Sequence, residues 1–221
     1  METRNRSITK TEKSVRQYIN QLHDQNSKLL VLRVDLGYSK AHGKDMQLAD
    51  IKRDTKHMLD NRRGNPALFE HQVGYVMKFE HTPCKGPHVH ALFLYDGQQV
   101  KKDAYLADKV GRYWSENITN GKGIYHSCNR DKTVYDQCGI GMIEHTDNDK
   151  RTALMERVVP YMLKSEQSID NIKETGNERS VTKGVITSRK SNAGRPRNPN
   201  PQQRRRHIAR HVKIAPHTIW R

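Results

Sequence analysis

Two histidines one residue apart, His88 and His90, sit in the apolar stretch PHVHALFLYDG. On a β-strand, residues two apart share a face, so His88, His90, Leu92 and Leu94 point one way and Val89, Ala91, Phe93 and Tyr95 the other. The preceding stretch, HQVGYVMKFEH, puts Lys78 and Glu80 on one face and Tyr75, Met77 and Phe79 on the opposite one. A hairpin turning within TPCKG pairs 80 with 88 and 78 with 90, which brings Glu80, His88 and His90 together. Two imidazoles and one carboxylate on one face make a metal site with open coordination positions. Alone, a His-x-His pair reads equally well as two solvated polar side chains on an outer face. The matching parity of Glu80, and a second cluster downstream, favour the metal. Cys84 would extend the set to a C-x3-H-x-H zinc site, but it lies in the turn, off the ligand face.

The second cluster is in RTALMERVVPYMLKSEQ, which has helical spacing with Leu154, Val158, Met162 and Leu163 on its apolar side. Tyr161 and Lys164 are three apart and Arg157 precedes Tyr161 by four, so the three share a face. A tyrosine between two cations suits attack on a phosphodiester. The cations neutralise the phosphate and favour the phenolate, since a phenol with a reference pKa near ~10 is a weak nucleophile at neutral pH. A nearby metal polarises the phosphoryl oxygen for in-line displacement. Pro160 directly before Tyr161 makes the helix kink or restart there. Most of the nine tyrosines are expected to be packing residues, and Lys164 with Arg157 would otherwise be a solvated face.

The elements that must hold these residues alternate along the chain. Residues 8–26 have weak helical spacing at Val15, Ile19 and Leu22. KLLVLRVDLGY is a strand with Leu30, Leu32, Val34 and Leu36 on one side and Val31, Arg33 and Asp35 on the other. Residues 45–63 form a helix, the two histidine-site strands follow, then a helix in VKKDAYLADKVGRYWSENIT, strands in GIYHSCN and CGIGMIEH, and the tyrosine helix. This order predicts an α+β fold, an antiparallel sheet covered by helices.

Composition marks off the rest. Of 221 residues, 40 are Lys or Arg and 24 Asp or Glu, a net charge of +16. No acidic residue follows Glu178, and the twelve Lys and Arg from Arg179 to Arg221 supply most of the excess. A polyanionic partner is expected, nucleic acid before an anionic membrane surface. The N-terminus is not a signal sequence and no apolar run approaches a membrane span. Three cysteines without CxxC spacing fit a reducing cytoplasm. The expected division is a helical extension (1–27), a nearly charge-balanced α+β domain (28–174) and a basic, flexible arm (175–221). In the arm, AGRPRNP offers Arg195 and Arg197 in an AT-hook-like core, and RRRHIARHVK offers Arg204, Arg205 and Arg206. Non-specific phosphate binding is favoured over sequence reading for both, and Arg157 joins them as a DNA contact.

Glu80, His88 and His90 as E-x7-H-x-H, followed by Tyr161-x-x-Lys164, resemble the HUH endonuclease superfamily, in particular its single-tyrosine rolling-circle replication initiators. PHVHALF looks like their metal-binding motif and YMLK like their nucleophile motif, with LLVLRVDLGY a loose match to the first. The wording around GPHVHALFLYDG is closest to inovirus-type replication proteins and prophage-encoded relatives, and the likeness spans roughly residues 28–170. It implies a central antiparallel sheet of about five strands with RRM-like connectivity. It also implies Mg²⁺ or Mn²⁺ held by His88, His90 and a third ligand, carried here onto Glu80. Tyr161 would attack single-stranded or hairpin origin DNA, leaving a 5′-phosphotyrosine and a free 3′-OH before religation, with Lys164 positioning the phosphate. Such a protein would work in a bacterial cytoplasm, and with no G-x4-G-K-[ST] in the chain a separate helicase would unwind the DNA.

Three rivals have different consequences. A non-catalytic prophage regulator would bind DNA on the bare sheet, but the site face carries His and Glu where stacking needs aromatics, and aromatics are only 6% of the chain. A two-His-one-carboxylate iron oxygenase leaves the basic arm unexplained. A relaxase or transposase shares the chemistry. Relaxases typically carry a more N-terminal tyrosine, and Tyr18 lacks a cation pair, apart from Arg16.

Overall fold

The alternating KLLVLRVDLGY stretch forms β1 (Lys28–Tyr38), which lies beside the histidine strand in a mixed α+β molecule. The computed structural model describes residues 8–164, 169 and 178–186. In chain order, α1 (Lys10–Gln25) precedes β1, and α2 (Leu48–Asp60) and a short α3 (Pro66–Phe69) follow it. The hairpin β2 (Gln72–Thr82) and β3 (Gly86–Asp96) comes next, then α4 (Asp103–Arg112), β4 (Gly123–Ser127) and β5 (Gly141–Glu144). The tyrosine helix is built from α5 (Asn148–Ala153), a π-helical turn (Leu154–Val158) and α6 (Val159–Met162), and β6 (Val181–Lys183) comes last.

The strand order is β4-β1-β3-β2-β6, with β5 also paired to β1. The first four strands and their two crossover helices form a βαββαβ unit ordered 4-1-3-2, with each neighbouring pair antiparallel, which is RRM-like connectivity. The sheet has the five strands expected and a sixth, the short β6 at its edge, and β4 and β5 share one side of β1. β4 pairs residues 34–38 and β5 pairs residues 28–31. In the gap between them Asn129 substitutes for a strand. Its Oδ1 accepts from the Arg33 backbone N–H at 2.8 Å and its Nδ2 donates to the Val31 carbonyl at 3.0 Å. Buried backbone groups that a strand would have paired are thereby satisfied by a side chain.

The expected alternation divides the sheet into two packed faces. Leu30, Leu32, Val34 and Leu36 of β1 join Val89, Ala91, Phe93 and Tyr95 of β3 against α2, α4 and the fully buried Trp114. Leu29, Val31, Leu92 and Leu94 pack on the other face against α1 and the tyrosine helix. Each such side chain taken from water contributes about 1.5–3 kcal/mol. That second layer covers only one end of its face. Further along β1 and β3 the same parity passes to Arg33, Asp35, His90 and His88, and the face becomes polar.

Three expectations change. Segment 1–27, expected as an extension, contributes α1 to this core through the buried Val15, Tyr18, Ile19 and Leu22. Residues from 175, expected in the arm, include β6, which pairs with β2 at Val76–Lys78. The helix over 100–119 runs as α4 and then as a π-helical turn, Tyr113–Ile118. Arg195, Arg197, Arg204, Arg205 and Arg206 lie outside the described residues. Among those described, no helix is long and apolar enough to cross a membrane.

Candidate metal centre and tyrosine cleft

Hairpin register brings the three candidate ligands together. Glu80 stands opposite His88 and Lys78 opposite His90, the pairing expected from the TPCKG turn. One ligand atom from each of Glu80, His88 and His90 lies within 4.8 Å of the others. Glu80 Oε2 is 3.2 Å from His90 Nε2 and 3.6 Å from His88 Nε2. The two imidazoles stand edge to face, 5.4 Å between centroids.

Each histidine is held from behind by its other nitrogen. His88 Nδ1 lies 3.2 Å from the Gly86 carbonyl, which can only accept, so a proton on Nδ1 is held there and Nε2 is the nitrogen turned toward an ion. Gly86 has φ +70°, and a Cβ there would run into the Gly43 carbonyl oxygen, so the strand start carrying this acceptor requires glycine. His90 Nδ1 lies 2.6 Å from Asp35 Oδ1, across the β1–β3 pair that sets Asp35 opposite His90. A carboxylate behind a histidine whose Nε2 faces another carboxylate is the outer-shell arrangement of metal-ligating histidines. The donor set fits a divalent ion with open positions.

Without an ion, the same groups share protons. Burial pulls the His90 imidazolium down, but hydrogen bonds and charge from Asp35 and Glu80 outweigh it and raise His90 to about 9. Burial pushes Glu80 up, yet its bonds to His88 and His90 win and hold it at about 2. Asp35 is likewise held below its ordinary value: burial acts upward, and His90 and Arg33 act downward more strongly together.

Tyr161 opens onto the same cleft of about 750 Å³ as Asp35, Glu80, His88, His90 and Lys164. It is 55% exposed on a helix whose other side is core. The π-helical turn sets that orientation. In it the Val159 N–H bonds to the Leu154 carbonyl, five residues back, and both side chains are fully buried. The helix restarts as α6 with Pro160 in its first turn. The extra residue makes Val159 the core position, while Val158, expected there, is half-buried. Arg16 of α1 pairs with Glu156 and steadies the turn.

The cations against the Tyr161 ring are Lys164, 4.9 Å from its centroid, and Arg33, 4.8 Å away. Arg157 instead donates to Gln137 Oε1 at 3.2 Å and lines a second cavity that Tyr161 also borders. Cys84, the alternative zinc ligand, is exposed in the turn and does not belong to the cluster.

Sequence reasoning missed Asp35, Arg33 and His126 as site residues. Asp35 pairs with His90 on one side and His126 of β4 on the other. The available signal was a pair of charges, Arg33 and Asp35, on the parity of β1 that elsewhere carries Leu29 and Val31. Lys40 and Lys85, from two loops, add positive charge to the cleft wall.

No curated protein and no solved structure matches the chain. A family model does match, over residues 1–179, and so spans both the α1 segment and the whole polar face described above. By that match the chain belongs to the YagK/YfjJ C-terminal domain family.

Proposed function

We propose that the protein is a metal-dependent, single-tyrosine DNA nickase and strand transferase of the HUH type, which initiates rolling-circle replication of a prophage-like element. The observation that carries this reading is that Tyr161, with Lys164 and Arg33 against its ring, opens onto the cleft that holds Glu80, His88 and His90. A divalent ion bound by those three, Mg²⁺ or Mn²⁺ by the resemblance, supplies Lewis-acid polarisation of a phosphoryl oxygen.

The chain's own groups do the rest. Lys164, Lys40 and Lys85 hold the DNA backbone in the cleft. Asp35 and the Gly86 carbonyl keep both imidazoles turned toward Glu80. Tyr161 gives up its phenolic proton to solvent and its Oη attacks the phosphorus; an O–P bond forms, and the P–O3′ bond breaks with its electron pair leaving on the 3′ oxygen, which takes up a proton from solvent. Lys164 and Arg33 place positive charge beside the ring on which negative charge develops. The product is a 5′-phosphotyrosine with a free 3′-OH. Attack of a 3′-OH on that linkage reverses the step and religates the strand. Relaxases and transposases share this chemistry; the prophage association of the family favours replication of such an element.

Denaturing gels with labelled single-stranded DNA covering the element test the reading. A protein–DNA adduct that needs Mn²⁺, disappears with EDTA and is lost in Tyr161→Phe is expected. Chelator-insensitive binding without any adduct would favour a regulator.

A further inference from the structure

Beside the metal cleft lies a second cavity of about 390 Å³, and Asp35, His126 and Tyr161 border both. Its volume is that of a small-molecule pocket. Its walls mix apolar surface, from Ile140, Val158 and Cys128, with the planar polar groups of Arg33, Gln137 and Arg157. Tyr135 adds an aromatic ring. A phosphate alone would be poorly matched to so much apolar wall. A flat ring with hydrogen-bonding edges suits it.

Arg33 points to what is bound. It is 7% exposed, and its buried Nε has no hydrogen-bond partner among the described residues. Its nearest carboxylate oxygen, on Asp35, is 3.9 Å from Nε, beyond hydrogen-bonding distance. A buried guanidinium Nε left this way in a cavity wall offers a donor that an acceptor on a bound ligand would satisfy. The cavity itself is firmly framed. Asn129 ties the start of the 128–140 loop to β1, and Lys132 bonds Asp103 at 2.7 Å. A Cβ on Gly139 would run into the Leu154 backbone nitrogen, so this loop packs directly on the tyrosine helix.

We propose that this cavity is a base-reading pocket that takes the nucleobase flanking the scissile phosphate, with guanine preferred. The assignment rests on the nickase reading for its biological substrate, because Tyr161 forms the wall between phosphate cleft and pocket. Guanine offers O6 and N7 together as acceptors for an arginine fork, and Tyr135 provides a ring for stacking. The Gln137 amide and Arg157 complete the polar edge.

The test uses the full chain, isotope-labelled, titrated with each of the four 2′-deoxynucleoside 5′-monophosphates and followed by backbone amide shifts. dGMP should move signals of Arg33 and of the 128–140 loop and bind about tenfold more tightly than the other three. Gln137→Ala and Arg157→Ala, both outside the core, should each reduce that preference. Four nucleotides binding alike, or shifts confined to the metal cleft, would overturn the pocket. Sequencing of adducts from a random single-stranded library separates the two claims. Adducts without a guanine bias beside the phosphotyrosine also overturn the pocket. A dGMP preference intact in a protein that forms no adduct upholds the pocket and counts against the nickase alone.

Discussion

Asp35 Oδ1 lies 2.6 Å from His90 Nδ1, the shortest contact at the site, and it crosses from β1 to β3 through a register pair of the sheet. The orientation of one metal-ligand candidate therefore depends on a strand that contributes no ligand itself. Asp35→Ala should lower Mn²⁺ affinity about 10–100-fold, the range for loss of an outer-shell partner. Glu80→Ala or His88→Ala should abolish measurable binding. Calorimetric titration of each variant checks this, and wild-type affinity in Asp35→Ala would show that His90 needs no such support.

Metal binding should be coupled to protons. In the metal-free protein His90 is raised to about 9, so at neutral pH it carries a proton that an ion must displace. Affinity should rise with pH up to about 9, and calorimetry in buffers of different ionisation enthalpy should show proton release at pH 7 that disappears in His90→Gln. The stability of the metal-free protein runs the other way. The charged His90 contributes fully below its ordinary 6.5 and loses that contribution as pH rises through about 9. Glu80, held at about 2, contributes above 4.5 and loses that contribution as pH falls toward 2. The gap in thermal stability between wild type and His90→Gln should be widest between about pH 4.5 and 6.5 and close above about 9.

Much of this site was legible because β-strand alternation is strict. The parity of Glu80, His88 and His90 and the hairpin pairing followed from period two and one turn. The βαββαβ order followed from alternating periodicities, and the 4-1-3-2 arrangement of its strands came with the family resemblance. The residues missed are those whose roles arise from strands distant in sequence. Nothing local in KLLVLRVDLGY says that Asp35 will face His90, 55 residues on. A period of 3.6 describes the tyrosine helix only as far as the π-helical turn, which inserts one extra residue and gives Val159 the core position expected of Val158. Arg33, from another strand, takes the place against the Tyr161 ring expected of Arg157. β6 is three residues in a polar segment, too short for any periodicity.

Lys164 should act on chemistry more than on binding. Its Nζ is 4.9 Å from the Tyr161 ring centroid, so Lys164→Ala should cut the single-turnover cleavage rate about 10²-fold at saturating DNA. Affinity for the same DNA should fall only a few-fold, because Lys40, Lys85 and the arm still hold the backbone. Equal losses in rate and affinity would make Lys164 an ordinary phosphate ligand.

The arm should supply affinity and salt dependence. Because β6 pairs with β2, a deletion that leaves the fold intact must begin after Ile186. Residues 187–221 hold ten Lys and Arg and no acidic residue. Removing them should weaken single-stranded DNA binding and flatten its log–log salt slope by roughly 0.7 for each phosphate the arm neutralises, with cleavage persisting at saturating DNA. Filter binding between low and moderate salt gives the slope. Loss of all cleavage at saturation would mean that the arm is part of the catalytic unit.

The most direct measurement is the identity of the residue joined to DNA. Trypsin cutting after Arg157 and Lys164 releases Val158–Lys164, in which Tyr161 is the only hydroxyl-bearing side chain. After reaction with Mn²⁺ and nuclease trimming, mass spectrometry of that peptide should show a nucleotide attached through its 5′ phosphate, absent when EDTA is present. A nucleotide on any other peptide, or scission with no covalent intermediate, would contradict Tyr161 as the nucleophile.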